Sequence, residues 1–148
     1  MSATAFCAIQ GALVAALTQA PALAEGRVYV NRLRPIGAAI PSAIVVRLDQ
    51  ASAAGDVIGT LDWVTSYTVE CYARAVSGAD PAESVDALLS AVWARLSALT
   101  PPGLGVAAIT LQPTIDWQYD DAETPVACAL IRISVQHRTV FADLAPWA

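Results

Sequence analysis

One histidine, a group of acids near the C-terminal end and three cysteines are the side chains of this 148-residue chain best equipped for chemistry. A nucleophile-base pair would need a serine or cysteine on the same face as His137. The nearest serine, Ser134, lies three positions back in an alternating segment and so points to the opposite face. His137 is therefore expected at the end of a strand, as a surface or interface residue. Asp116, Asp120, Asp121 and Glu123 are the residue types that ligate calcium or work as an acid/base pair. Their spacing matches no calcium loop, and turns select aspartate for its own backbone hydrogen bonds. Cys7, Cys71 and Cys128 have no metal-ligand spacing and read as small buried hydrophobes. Cys71 falls on the apolar phase of its segment and Cys128 on the polar phase of its own, so no bridge is expected between them. No glycine-rich phosphate loop, zinc motif or heptad pattern is present. The expectation is a protein that is not an enzyme and takes no cofactor or metal.

The elements that carry these residues are easier to read. From Trp63 the odd positions are Trp63, Thr65, Tyr67, Val69, Cys71 and Ala73, with Ser66, Thr68, Glu70 and Arg74 between them, which is strand periodicity. Similar alternation runs from Ile109 through Leu111, Ile115, Trp117 and Tyr119, and from Ala127 through Ile131, Ile133 and Val135. Between the first segment and the second, Asp80-Pro81-Ala82-Glu83 supplies an N-cap, a proline at the first helical position and a capping-box glutamate. The spacing predicts helices over 2–19 and 81–99, and strands over 27–31, 43–48, 61–75, 108–119 and 125–139. The segment Asp49 to Gly59, rich in small residues, reads as an extended, mobile hairpin loop. Pro113 cannot donate to a ladder, so its strand is an edge strand or carries a bulge. The order αβββαββ with short connections predicts an α+β fold of one domain over 1–148: a two-layer sandwich of a mostly antiparallel mixed sheet with two helices on one face.

Composition limits the partners. Eight arginines, no lysine and thirteen acids give a net charge of -5, which lacks the basic stripe a phosphate-gripping protein needs. Before Arg27 there is no basic residue, and Gln10, Thr18, Gln19 and Pro21 make the first stretch too polar for a membrane span. Phe6, Ile9, Leu13 and Leu17 instead form one apolar stripe of an amphipathic helix. Ala22-Leu23-Ala24 before Glu25 imitates a signal-peptidase site, and the alternative it opens is a secreted or periplasmic binding domain with a cleaved N-terminal signal. Trp63 and Trp117 sit in apolar phase and are expected in the core. Trp147, near the end of the chain, is expected to dock on its own subunit or on a neighbour. Glu70, Arg74, Arg132, Gln136 and Arg138 share the polar sheet face, either as solvated surface or as a subunit interface.

Arg27-Val28-Tyr29, the strand entry Ile40-Pro41-Ser42-Ala43-Ile44-Val45-Val46, Leu61-Asp62-Trp63 opening a long strand, the capped helix, and Asp116-Trp117-Gln118-Tyr119-Asp120-Asp121 before a closing strand together span nearly the whole chain. In that order they resemble the tail terminator proteins of long-tailed phages, the minor tail protein U type, or a related gene transfer agent. The resemblance implies a structural virion protein. It would form a homohexameric ring that caps the tail tube protein, stops its polymerisation and joins the tube to the head-tail connector or head completion protein. DNA would pass through the lumen without specific binding, and no membrane would be involved. The place implied is the head-proximal end of the virion tail, and the host cytoplasm during assembly. A closed ring needs two different complementary patches on each subunit. The candidates are the loop residues Gln50, Ala51, Ser52, Ala53, Ala54, Gly55 and Asp56, the arginines Arg74, Arg132 and Arg138, the acids Asp120, Asp121 and Glu123, and Trp147.

Overall fold

A computed structural model describes residues 3–32, 36–37, 39–76, 78–120 and 125–147, with 54–57 described as backbone. Helix α1 is Ala5–Thr18, strand β1 is Val28–Val30, and strands β2 and β3 are Ser42–Val57 and Thr60–Arg74. Helix α2, Pro81–Ser97, is followed by β4, Val106–Asp120, and β5, Val126–Val140. The sheet order is β1-β2-β3-β5-β4. Every pairing is antiparallel except the short parallel one between β1 and β2, so the expected α+β sandwich with a mostly antiparallel mixed sheet is what forms.

Both helices lie on one face because each carries a single apolar stripe. Ile9, Leu13 and Leu17 of α1 and Val85, Leu89, Val92 and Leu96 of α2 are buried. They meet Ile44 and Val46 of β2, Tyr67, Val69 and Cys71 of β3, and Ile131, Ile133 and Val135 of β5. Each fully buried Leu, Ile or Val side chain contributes about 1.5–3 kcal/mol, so this stripe-to-sheet contact is the main source of stability. Helix α1 covers β1 and β2, while α2 lies over β3 and β5 and reaches β4 only at its margin. Asp80 caps α2 by accepting from the Ala82 amide at 2.9 Å.

Two expectations are corrected here. Asp49–Gly59 is not a loop: β2 continues to Val57, and Ile58 and Gly59 alone make the turn. Gly59, at φ 85°, supplies the left-handed backbone such a short turn requires. Small residues cannot anchor a loop, but a ladder needs only their backbone. Ala51 pairs with Thr65 and Ala53 with Trp63, with register shifts after Leu48 and Ala53 absorbing two extra residues. Since β3 is also paired with β5 down to Thr60 opposite Val140, the hairpin is backed along its length, and no mobile loop stands there. The second correction is Trp117. It holds the helix-side phase, opposite Ala129, yet is 46% exposed, because α2 packs mainly on β3 and β5 rather than on β4. Pro113 lies on an edge strand and within an irregularity between Leu111 and Ile115, so both readings of it apply.

Candidate functional site: the open sheet face and its edges

Alternation puts Arg47 and Glu70, Asp62 and Arg138, and Asp116 and Arg132 on the face that carries no helix. These residues are cross-strand neighbours of opposite charge, and they pair. The Arg47 Nε donates to Glu70 Oε1 at 2.6 Å, and the Tyr72 hydroxyl donates to Glu70 Oε2 at 2.7 Å. The Glu70 hydrogen bond and charge hold the Arg47 guanidinium above its ordinary pKa. Arg138 forks onto both oxygens of Asp62, at 2.6 and 3.0 Å, and this hydrogen bonding lowers the Asp62 carboxyl below its usual range. Arg132 reaches Asp116 at 2.6 Å. The Thr68 hydroxyl donates to Asp49 beside them. These pairs are short, but solvent screens the exposed ones, and they add little to stability. Their effect is to cancel charge within the chain.

The positive patch expected on this face is therefore largely spent at home. Arg74 does not present its guanidinium outward but donates to the carbonyls of Ile36, Gly37 and Ile40, pinning the segment before β2. Asp120 is exposed at the last position of β4, while Asp121 and Glu123 lie outside the described residues. Of the proposed hairpin residues, Ser52 and Ala53 are exposed on an edge strand, Gln50 is exposed and Ala51 half-buried, and Ala54, Gly55 and Asp56 are described only as strand backbone. Trp147 docks on its own chain. A Cβ built on Gly105 would stand 2.6 Å from the Trp147 Cβ and 2.8 Å from the Arg138 carbonyl, so Gly105, at φ 74°, is what lets the tail lie down. Between Trp147, Gly105 to Ala107 and the Asp62–Arg138 pair a groove of about 670 Å³ opens on the helix-free face.

His137 is not a surface residue. It is 2% exposed, with its Nε2 2.7 Å from the Thr65 hydroxyl and its ring edge-on to Phe6 at 5.3 Å. Its odd position gives it the helix-side phase, beside Trp63 and under the start of α1, and its Nδ1 has no hydrogen-bond partner. Burial lowers its pKa below 6.5, which favours the neutral ring. Cys7 also departs from expectation, being exposed on the outer side of α1, whereas Cys71 and Cys128 are buried on opposite faces of the sheet. Among the described residues no group of three or more metal-ligating side chains comes together.

The features that sequence reasoning missed are the sheet's lateral edges and its uncovered apolar side chains. At the end bearing the β2–β3 turn, Ile58, Val140, Phe141 and Leu144 are exposed, and the Phe141 amide donates to Gly59. At the opposite end Val76, Trp117 and Tyr119 are exposed. Asn31 closes the β1–β2 pairing: its side chain accepts from the Leu48 amide at 2.9 Å and from Gln10 at 3.0 Å. Beyond that plug, β2 is an edge strand. The one sequence signal for an edge was Pro113, which marked β4.

The chain matches no protein-family model, and no curated protein matches its sequence.

Proposed function

We propose that this protein is a ring subunit of the tail-terminator kind, a structural virion protein whose ring caps the tail tube, stops its polymerisation and joins it to the head-side connector. The observation that carries the reading is the pair of separate, unlike apolar patches left uncovered at the two ends of the sheet: Ile58, Val140 and Phe141 at one, Val76, Trp117 and Tyr119 at the other. Contiguous exposed apolar side chains mark interaction sites, and a head-to-tail ring uses two non-equivalent patches on every copy. Ion pairs closed within the chain fit a subunit that meets its neighbours through shape and apolar contact. The net charge of -5 fits a lumen that DNA traverses without sticking.

The secreted reading fits less well. Cleavage after Ala24 would remove α1, whose Ile9 and Leu17 are fully buried and which covers β1 and β2.

Native mass spectrometry of the purified full chain should give one closed oligomer, and adding the protein to polymerising tail tube protein should arrest growth with rings visible at tube ends by electron microscopy. A chain that stays monomeric at every concentration and leaves tube length unchanged overturns the reading.

A further inference from the structure

The sheet order leaves two lateral edges open. One is β4, which pairs with β5 on its inner side and with no described residue on its outer side. The other belongs to β2, but only in part. Its partner β1 covers Ile44 to Val46, Asn31 takes the Leu48 amide, and from Asp49 to Val57 no described residue pairs with the outer edge. Unpaired edges template the addition of another strand, and soluble proteins commonly blunt them with lysine or with inward charge. This chain has no lysine, the Asp116 charge on β4 is held by Arg132, and the devices these edges do carry, Pro113 on β4 and the register shifts after Leu48 and Ala53 on β2, lie outside residues 117–120 and 50–53.

Resting on the ring reading above, we propose that β4 residues Trp117–Asp120 of one copy add antiparallel to the β2 edge at Gln50–Ala53 of a second copy, so that the ring is one continuous sheet. Strand direction sets the sense. β2, β3, β5 and β4 alternate, so β4 runs opposite to β2, and a rotation that preserves strand direction brings the two edges together antiparallel. Sterics set the stagger. β1 stands one strand spacing, about 4.8 Å, outside β2 at residues 44–46, so a neighbouring β4 cannot lie flush and must slide toward the β2–β3 turn. Such a stagger is what closing a sheet on itself requires.

Side-chain size sets the register. On the helix side of β4, Trp117 and Tyr119 are 46% and 59% exposed. On the helix side of β2 the open edge carries Ala51 and Ala53. Placing Trp117 opposite Ala53 puts Tyr119 opposite Ala51 and Gln118 opposite Ser52, each on its proper face. Bulky rings then lie over methyl groups, and the amide of Gln118 meets a hydroxyl. The second copy is thus the occupant that supplies the right direction, the right gap and the right faces.

The test uses the full chain with Cys7→Ser to remove the exposed thiol. Ser52→Cys combined with Gln118→Cys should, on oxidation, give a ladder of covalent oligomers ending at the ring, because facing residues of an antiparallel pair stand within disulfide reach. Either substitution alone should give no ladder. Separately, Ala53→Trp should weaken assembly about thirtyfold or more with the monomer's circular dichroism unchanged, and adding Trp117→Ala to it should restore assembly. If the wild-type chain forms rings but the double cysteine variant does not cross-link, or the size swap restores nothing, the edge joint is overturned and the ring reading stands. If the wild-type chain never assembles, both fall.

Discussion

His137 shows how a single buried ring can set the pH range of a fold. Among the described residues its ring bonds to Thr65 through Nε2 and its Nδ1 has no hydrogen-bond partner, while Phe6 lies against it. Burial lowers its folded-state pKa below 6.5, so the folded chain resists the proton that the unfolded chain accepts. The contribution is fully present above about 6.5. It declines as pH falls below that value and levels off once the folded ring is itself protonated. Urea midpoints measured at pH 5 and pH 7.5 should therefore fall more for the wild-type chain than for His137→Leu; equal falls would show that the ring titrates freely. The sequence placed His137 on a strand but not under α1. Alternation says which face a residue takes, and it does not say what lies above that face.

At the level of elements, the parts legible in the sequence are those whose pattern is local. The stripe of α1, the Asp80 cap and the alternation of β3 and β5 are each written within about fifteen residues, and each forms as expected. The second half of β2 was not legible, because Gln50 to Gly55 pair through backbone alone and their small side chains imitate a loop. Nor was the end of α1. Its terminal carbonyls are closed by a residue far along the chain: Arg95 on α2 donates to Leu17 at 3.2 Å, to Gln19 at 2.9 Å and to Pro21 at 2.8 Å. A guanidinium on those carbonyls also answers the negative end of the helix dipole. Arg95→Ala should lower stability by about 2 kcal/mol, and lysine, without the planar fork, should recover only part of it. Asp80→Ala, removing an exposed cap, should lose about 1 kcal/mol. Denaturant midpoints that rank the two the other way would place the helix packing elsewhere.

For the whole molecule, the fold class was readable, but the helix-free face was read only in part, since Val45, Cys128 and Leu130 are buried on it beside Glu70, and the surfaces offered to partners were not legible. Arginines that look available in the sequence are closed on Asp62, Asp116 or backbone carbonyls, and the uncovered groups are instead apolar side chains and strand edges. Whether a neighbour covers them depends on how far each helix reaches across the sheet, a tertiary quantity that no local pattern encodes. The opposite placement of the two buried thiols gives the molecule its own reporters of opening. Cys71 lies beneath the helices and Cys128 on the other face near Tyr72, and burial pushes both up to about 12. In the native chain a thiol reagent should label Cys7 at once and leave the other two silent. Under mild denaturant, Cys71 becomes reactive only when the helical layer lifts, and Cys128 only when the outer face frays. Timed alkylation read by mass spectrometry would then clock lifting of the helices and fraying of the strands separately. Equal rates would mean that helices and sheet open as one cooperative unit.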